Sequence, residues 1–294
     1  MKSKSKLNSK SWLLLTGIFN LIFTVSDYSY ALTNAQPALS DDLQSVVFLK
    51  TEARDPSNGS EAPAFCNATF VHPLVLVTAA HCVRDAYVVK SFSAEVTVGK
   101  YKYVTKPDGT VVRIGYTTLL KEVKPAKFFF TQNLTSKINS LGLKAQIGPQ
   151  DDLAVIVLGS AMNLPDTVKM VPVINQQELQ GLATIATQYL PTVISINPFA
   201  DMSTMDTKRS ATLNIFKWNS TGYFESTSTA RVEEGDSGSP VQVRIGNIWK
   251  LVAVVKGQGS TFLGTFDVFS AVNSKICDIG NQLGNAELKT KLCL

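Results

Sequence analysis

Residues 233–241 read E-E-G-D-S-G-S-P-V. A tight turn accounts for Gly235 and Gly238, because glycine adopts backbone angles that other residues avoid. It does not account for a serine set between an aspartate and a glycine just ahead of an apolar run. Ser237 is either a turn residue or a nucleophile. A serine hydroxyl attacks only when a base takes its proton, so the question passes to the histidines.

The chain has only two, His72 and His81. His81 ends the stretch V-L-V-T-A-A-H-C, in which an apolar strand gives way to two small residues that leave room beside an imidazole. His72 stands before Pro73 in no such setting and reads as a surface or turn residue. The third member should be a buried carboxylate that orients the base and stabilises its cation. Asp152 opens D-L-A-V-I-V-L, where polar sequence passes into core. Its neighbour Asp151 points to the opposite side; taken alone, either aspartate is an ordinary strand-start residue. Gly235 lets successive N–H groups converge, so those of Gly235 and Ser237 become candidates to hold an oxyanion. Chain order then discriminates. No histidine follows Ser237, which excludes the Ser–Asp–His order of α/β-hydrolases. An Asp–His–Ser order would need Asp41 or Asp42, neither in a supporting context. The remaining order is His81, Asp152, Ser237.

The segments T-A-A-H-C, D-L-A-V-I-V-L and G-D-S-G-S-P, in that order, resemble the three signature segments of trypsin/chymotrypsin-like serine endopeptidases. The likeness covers most of residues 32–276 and weakens over residues 85–150. It implies two six-stranded antiparallel Greek-key barrels with a short C-terminal helix, and an acyl-enzyme formed on Ser237. It implies a bridge between Cys66 and Cys82, and a free amino group placed against Asp236 that orders the oxyanion hole. Leu32, in L-T-N-A, is the candidate terminus; a short propeptide cut elsewhere is the alternative. The residue six before the nucleophile, at the base of the family's specificity pocket, is Arg231 here. Lys256 follows the strand K-L-V-A-V-V and is a second candidate to face the cleft. Arg231 either favours an acidic side chain before the scissile bond or is neutralised by Glu233 and Glu234. Two departures stand out: Glu233 replaces the cysteine that usually braces the pocket, and V-K-G-Q-G replaces the family's S-W-G.

The rest of the chain fits this frame. The 294 residues are 45% apolar, enough for one large or two small cored domains. Short β-rich runs such as S-V-V-F-L (45–49) and L-V-L-V (74–77) alternate with turn signals. Pro107-Asp108-Gly109, between Y-K-Y-V-T and T-V-V-R-I, reads as a hairpin. Residues 128–150 read as loop, and the tail as mildly helical up to Leu283 and polar beyond. The divisions are residues 1–31 as a signal peptide, 32–160 and 161–276 as the two barrels, and 277–294 as a C-terminal tail.

The leader has a lysine-rich head, an apolar stretch of 14 residues at 12–25 and S-Y-A at 29–31. That is the pattern of a cleaved secretory signal; a membrane anchor is the alternative, though a span needs about 20 residues. Lys2, Lys4, Lys6 and Lys10 against Asp27 put +3 of the total +5 into the leader. The mature part is close to neutral, with no argument for nucleic acid or an anionic membrane. Four cysteines in an exported chain imply disulfides. Local pairing (Cys66 with Cys82, Cys277 with Cys293) is the simplest of three arrangements. Neither spacing suits a zinc site, and no metal or organic cofactor is expected. Asn58, Asn67, Asn133 and Asn219 begin N-x-S/T sequons. The expectation is a secreted, monomeric endopeptidase acting on protein or peptide substrates. A non-catalytic binding protein on the same fold, or an esterase with the same triad, are the alternatives.

Overall fold

A computed structural model describes residues 32, 36–37, 45–55, 57–166, 168–184, 192–196, 208–213, 216–219, 222–262 and 264–293. The expected signal segment lies outside them. The strands are β1 (Gln36–Pro37), β2 (Val46–Arg54), β3 (Glu61–His72), β4 (Val75–Thr78), β5 (Ser93–Thr105), β6 (Val111–Phe130) and β7 (Ala154–Leu158), then β8 (Thr192–Ile196), β9 (Lys208–Thr212), β10 (Phe216–Asn219), β11 (Tyr223–Ser226), β12 (Pro240–Ile245), β13 (Ile248–Thr261) and β14 (Gly264–Ala271). Five α-helices accompany them among the described residues: α1 (His81–Val88), α2 (Gln132–Leu141), α3 (Gln176–Thr184), α4 (Asn273–Gly280) and α5 (Ala286–Leu292).

Strands β2 to β7 close into a barrel in the order β2-β3-β4-β7-β6-β5. β4 and β7 pair as neighbours in it, and β4 is buried at every position. Its unbroken apolar run is what a strand covered on both faces requires. The β5–β6 hairpin closes with Thr105 opposite Val111, around the Pro-Asp-Gly turn. The remaining strands form a second antiparallel sheet, eight-stranded among the described residues, in the order β1-β9-β8-β12-β13-β14-β11-β10. The fold is therefore the expected chymotrypsin-like one, a closed six-stranded barrel with a second antiparallel sheet and short C-terminal helices.

Residues 128–150 are not all loop. β6 runs to Phe130, and α2 follows, capped by the Thr131 hydroxyl, which accepts from Leu134 N at 3.3 Å. Leu134 and Ile138, one turn apart, are the buried stripe. Ten residues with two buried positions give too faint a helical period to stand out in sequence. The polar end of the chain hides a second short helix for the same reason. In α5 only Leu288 and Leu292 are buried, and Asn285 caps it by accepting from Leu288 N.

Both cysteine pairs are local, Cys66–Cys82 and Cys277–Cys293. The second ties α4 to α5, which lies against the barrel strand β3. Gln282 donates to the Phe130 carbonyl at 2.9 Å, and His72 lies 3.6 Å from Glu287. The tail thus straps the second unit to the first. Replacing both Cys277 and Cys293 by alanine should lower the unfolding free energy by about 3 kcal/mol, the chain-entropy value for a loop of this size. Urea unfolding reads it; an unchanged midpoint would mean that the crosslink restrains nothing.

Candidate active site

β4 delivers the first element of the site. It ends at Thr78, the fully buried Ala79 and Ala80 follow, and His81 begins α1. His81 Nδ1 lies 2.8 Å from Asp152 Oδ2, and the His81 backbone N–H donates to Asp152 Oδ1 at 2.9 Å. Asp152 is fully buried at the entrance to β7, beside β4 in the barrel. Asp151 faces away and pairs with Lys137 at 3.2 Å. Burial pushes the Asp152 carboxyl up. The His81 ring, by charge and hydrogen bond, then Lys256 and the His81 backbone N–H outweigh that and hold it below the usual carboxylate range. The sulfurs of Cys66 and Cys82 lie near the His81 ring but are bonded to each other, and a disulfide offers no thiolate to a metal.

The second element is the turn at residues 233–239. Gly235 and Gly238 have φ of 95° and 77°, angles that favour glycine. Asp236 organises the turn: its Oδ2 accepts from Glu233 N at 2.7 Å and its carbonyl accepts from Ser239 N at 2.9 Å. The barrel side clamps it. Asn67 N donates to the Ser237 carbonyl at 2.7 Å, and Asn67 Nδ2 to the Gly235 carbonyl at 2.9 Å. A Cβ on Gly238 would sit 2.2 Å from both the Asn67 carbonyl and Thr78 Oγ1, so no other residue fits. From β13, Val255 accepts from Gly238 N at 2.9 Å and donates to the Ser239 carbonyl at 2.8 Å.

Ser237 is thereby held against Asn67, the residue after Cys66, and its neighbour Gly238 against Thr78 and Ala79, just ahead of His81 in the chain. No hydrogen bond joins its hydroxyl to His81 among the described residues. Such contacts are often long in unliganded sites and tighten around substrate. The N–H groups of Gly235 and Ser237 have no acceptor among the described residues, while the carbonyls of both are taken by Asn67. Leu32 is buried, and its N–H donates to Asp236 Oδ2 at 2.8 Å.

The two basic candidates have partners of their own. Arg231 Nε lies 3.0 Å from Asp267 Oδ1, and its Nη1 donates to the Thr265 carbonyl at 3.2 Å. The counter-charge is therefore Asp267 of β14, rather than Glu233 or Glu234. Burial raises the Asp267 carboxyl to about 6, despite the opposing pull of Arg231. Lys256 Nζ lies 3.5 Å from Asp152 Oδ2.

Sequence reasoning missed Asn67 and Asp267. Asn67 reads as a sequon, yet it is fully buried and its amide is committed to the serine turn, a position no glycan could reach. Asp267 did carry a signal, as a lone charge inside the apolar strand stretch F-D-V-F.

A closed antiparallel barrel carrying an imidazole–carboxylate pair, with a glycine-flanked serine turn on a second antiparallel sheet, defines a chymotrypsin-like protein. The chain belongs to the trypsin family, whose sequence model matches residues 44–276. That span includes His81, Asp152 and Ser237 and stops one residue short of Cys277. No curated protein matches the chain.

The Arg231–Asp267 pair makes a pH-dependent prediction. The Asp267 carboxyl sits at about 6 in the folded chain against 3.8 for the free group. Its stabilising contribution is complete below the lower value and is lost as pH rises through the upper one. Arg231→Met would leave an ionised, buried carboxylate without its cation. The loss should approach about 3 kcal/mol at pH 8 and be clearly smaller at pH 5, where the acid is protonated. Denaturant unfolding at the two pH values checks it; an equal loss at both would contradict the electrostatic account.

Proposed function

We propose that the protein is a secreted serine endopeptidase working through His81, Asp152 and Ser237. The observation that carries the reading is the 2.8 Å contact of His81 Nδ1 with a fully buried carboxylate, beside a serine turn with two unengaged N–H groups. Membership of the trypsin family supports the reaction class.

The chemistry follows from the parts. His81 Nε2 takes the Ser237 proton as Oγ attacks the peptide carbonyl. Asp152 keeps the ring oriented through Nδ1 and stabilises the imidazolium. The N–H groups of Gly235 and Ser237 receive the oxyanion; the loss of one such donor typically costs about 10²–10³ in turnover. The imidazolium passes its proton to the leaving amine, and water then clears the acyl group by the same route. Arg231, neutralised by Asp267, provides a charge-paired rather than a bare cationic wall to the specificity pocket.

Leu32 supplies the activating terminus. As an internal residue it has φ of 51°, an unfavourable angle for leucine. Cutting the bond before Leu32 abolishes that torsion and turns its amide into an ammonium against Asp236. The active form then begins L-T-N-A. N-terminal sequencing of the active secreted protein decides this; a start beyond Ala35 contradicts it. Export rests on the leader and its S-Y-A site, and no described helix is long and apolar enough to cross a membrane.

The enzymatic reading has a direct test. A fluorophosphonate should label the mature protein, and Ser237→Ala should abolish the label. Ser237→Ala or His81→Ala should each cost about 10⁴–10⁶ in peptide turnover, because the three residues act as a unit. Absent labelling in properly processed protein would instead favour a non-catalytic binding protein. Cleavage of activated esters without any peptide cleavage would favour an esterase. Full activity in His81→Ala would exclude the assignment.

A further inference from the structure

Among the described residues, two ionisable side chains reach the Asp152 carboxylate, His81 and Lys256. The lysine arrives by a definite device. In the β13–β14 ladder Val255 pairs with Phe269 and Gly257 with Val268, which leaves Lys256 as the extra residue of a bulge. A bulge re-aims a side chain and recurs beside active sites. Gly257, at φ 141°, supplies the backbone angle that this one needs. Val255, one residue earlier, is the residue hydrogen-bonded in both directions to the serine turn. The strand that braces the nucleophile turn therefore also brings an ammonium to the buried carboxylate. It reaches Oδ2, the oxygen that His81 Nδ1 faces.

Two cations share that oxygen. Asp152 favours the protonated His81 ring, whereas a positive charge nearby opposes a second one. The other charged groups around the pair are engaged elsewhere or stand off. Arg84 and Asp85 of α1 pair with each other at 2.5 Å, and Asp151 pairs with Lys137 at 3.2 Å. Lys275 of α4 donates to the Gln150 carbonyl. Asp236 receives Leu32 N, and Asp267 receives Arg231. Among the described residues, Lys144 and Glu234 form no ion pair with His81 or Asp152.

We propose that Lys256 is a positioning residue of the triad: its ammonium, on the Asp152 oxygen that faces His81, keeps the imidazole in its proton-accepting form to lower pH than Asp152 and His81 alone would. The proposal rests on the triad reading and adds a fourth member, an ammonium on the buried carboxylate. It also keeps Asp152 ionised when the ring is neutral, since the buried carboxylate then still faces a cation.

The test is the rate constant for fluorophosphonate labelling of the mature protein between pH 5 and 9, in the wild type and in Lys256→Gln, Lys256→Met and Lys256→Arg. Removing one unit charge near the ring should move the acid limb of the profile upward by about one pH unit. Labelling by the two neutral variants therefore slows most at acid pH, towards about tenfold, and the gap closes as pH rises. Lys256→Arg keeps the wild-type limb, whatever its absolute rate. Thermal unfolding selects folded variants; if the methionine variant is unstable, the glutamine and arginine variants decide. Superimposable acid limbs, or equal slowing at every pH, would overturn the proposal and leave the triad standing. A wild type that never labels would overturn the triad reading together with it.

Discussion

The carboxylate of Asp152 has no contact with solvent, and much of the site can be read as the way that charge is met. A buried ion is tolerated only when it is paired and hydrogen-bonded. Asp152 receives the His81 backbone N–H on one oxygen, and the His81 ring and the Lys256 ammonium on the other. These donors come from two places in the chain, the start of α1 and the bulge of β13. The charge therefore links the closed barrel to the second sheet, and its partners could not be supplied by either unit alone.

The serine turn is placed with comparable redundancy. Asn67 holds two of its carbonyls, Val255 holds it from the other side, and Gly238 fits so closely that a side chain has no room. Asp236 closes the turn internally and receives Leu32 from the far end of the chain. The carbonyls of Gly235 and Ser237 are occupied, while their N–H groups have no acceptor among the described residues. On the proposed mechanism that is the arrangement an oxyanion requires: donors fixed in advance, so that none has to reorganise during reaction.

Much of this was legible in the sequence. Two histidines left little choice of base, and chain order removed the competing folds. The apolar runs of β4 and β7 and the Pro-Asp-Gly hairpin marked the barrel. What was hidden had physical causes. Helices α2 and α5 bury two residues each, too few to create a periodic signal. Asn67 matches a glycosylation pattern, and only its burial reveals a different task. Arg231 had acidic neighbours in sequence, but the fold brought Asp267 of β14 to it from 36 residues away. Lys256 was visible as a cleft candidate; that its charge would fall on Asp152 depended on a bulge, which a linear chain does not display.

The central claim is that His81 and Ser237 work on one reacting carbon with Asp152 behind the ring. A crystal structure of the mature protein carrying a phosphonate on Ser237 tests it most directly. The account predicts the phosphonyl oxygen about 2.7–3.1 Å from the N–H groups of Gly235 and Ser237, with the His81 ring still bonded to Asp152 and its Nε2 turned towards the adduct. An adduct on another residue, or a His81 ring swung away from both Asp152 and Ser237, would contradict it.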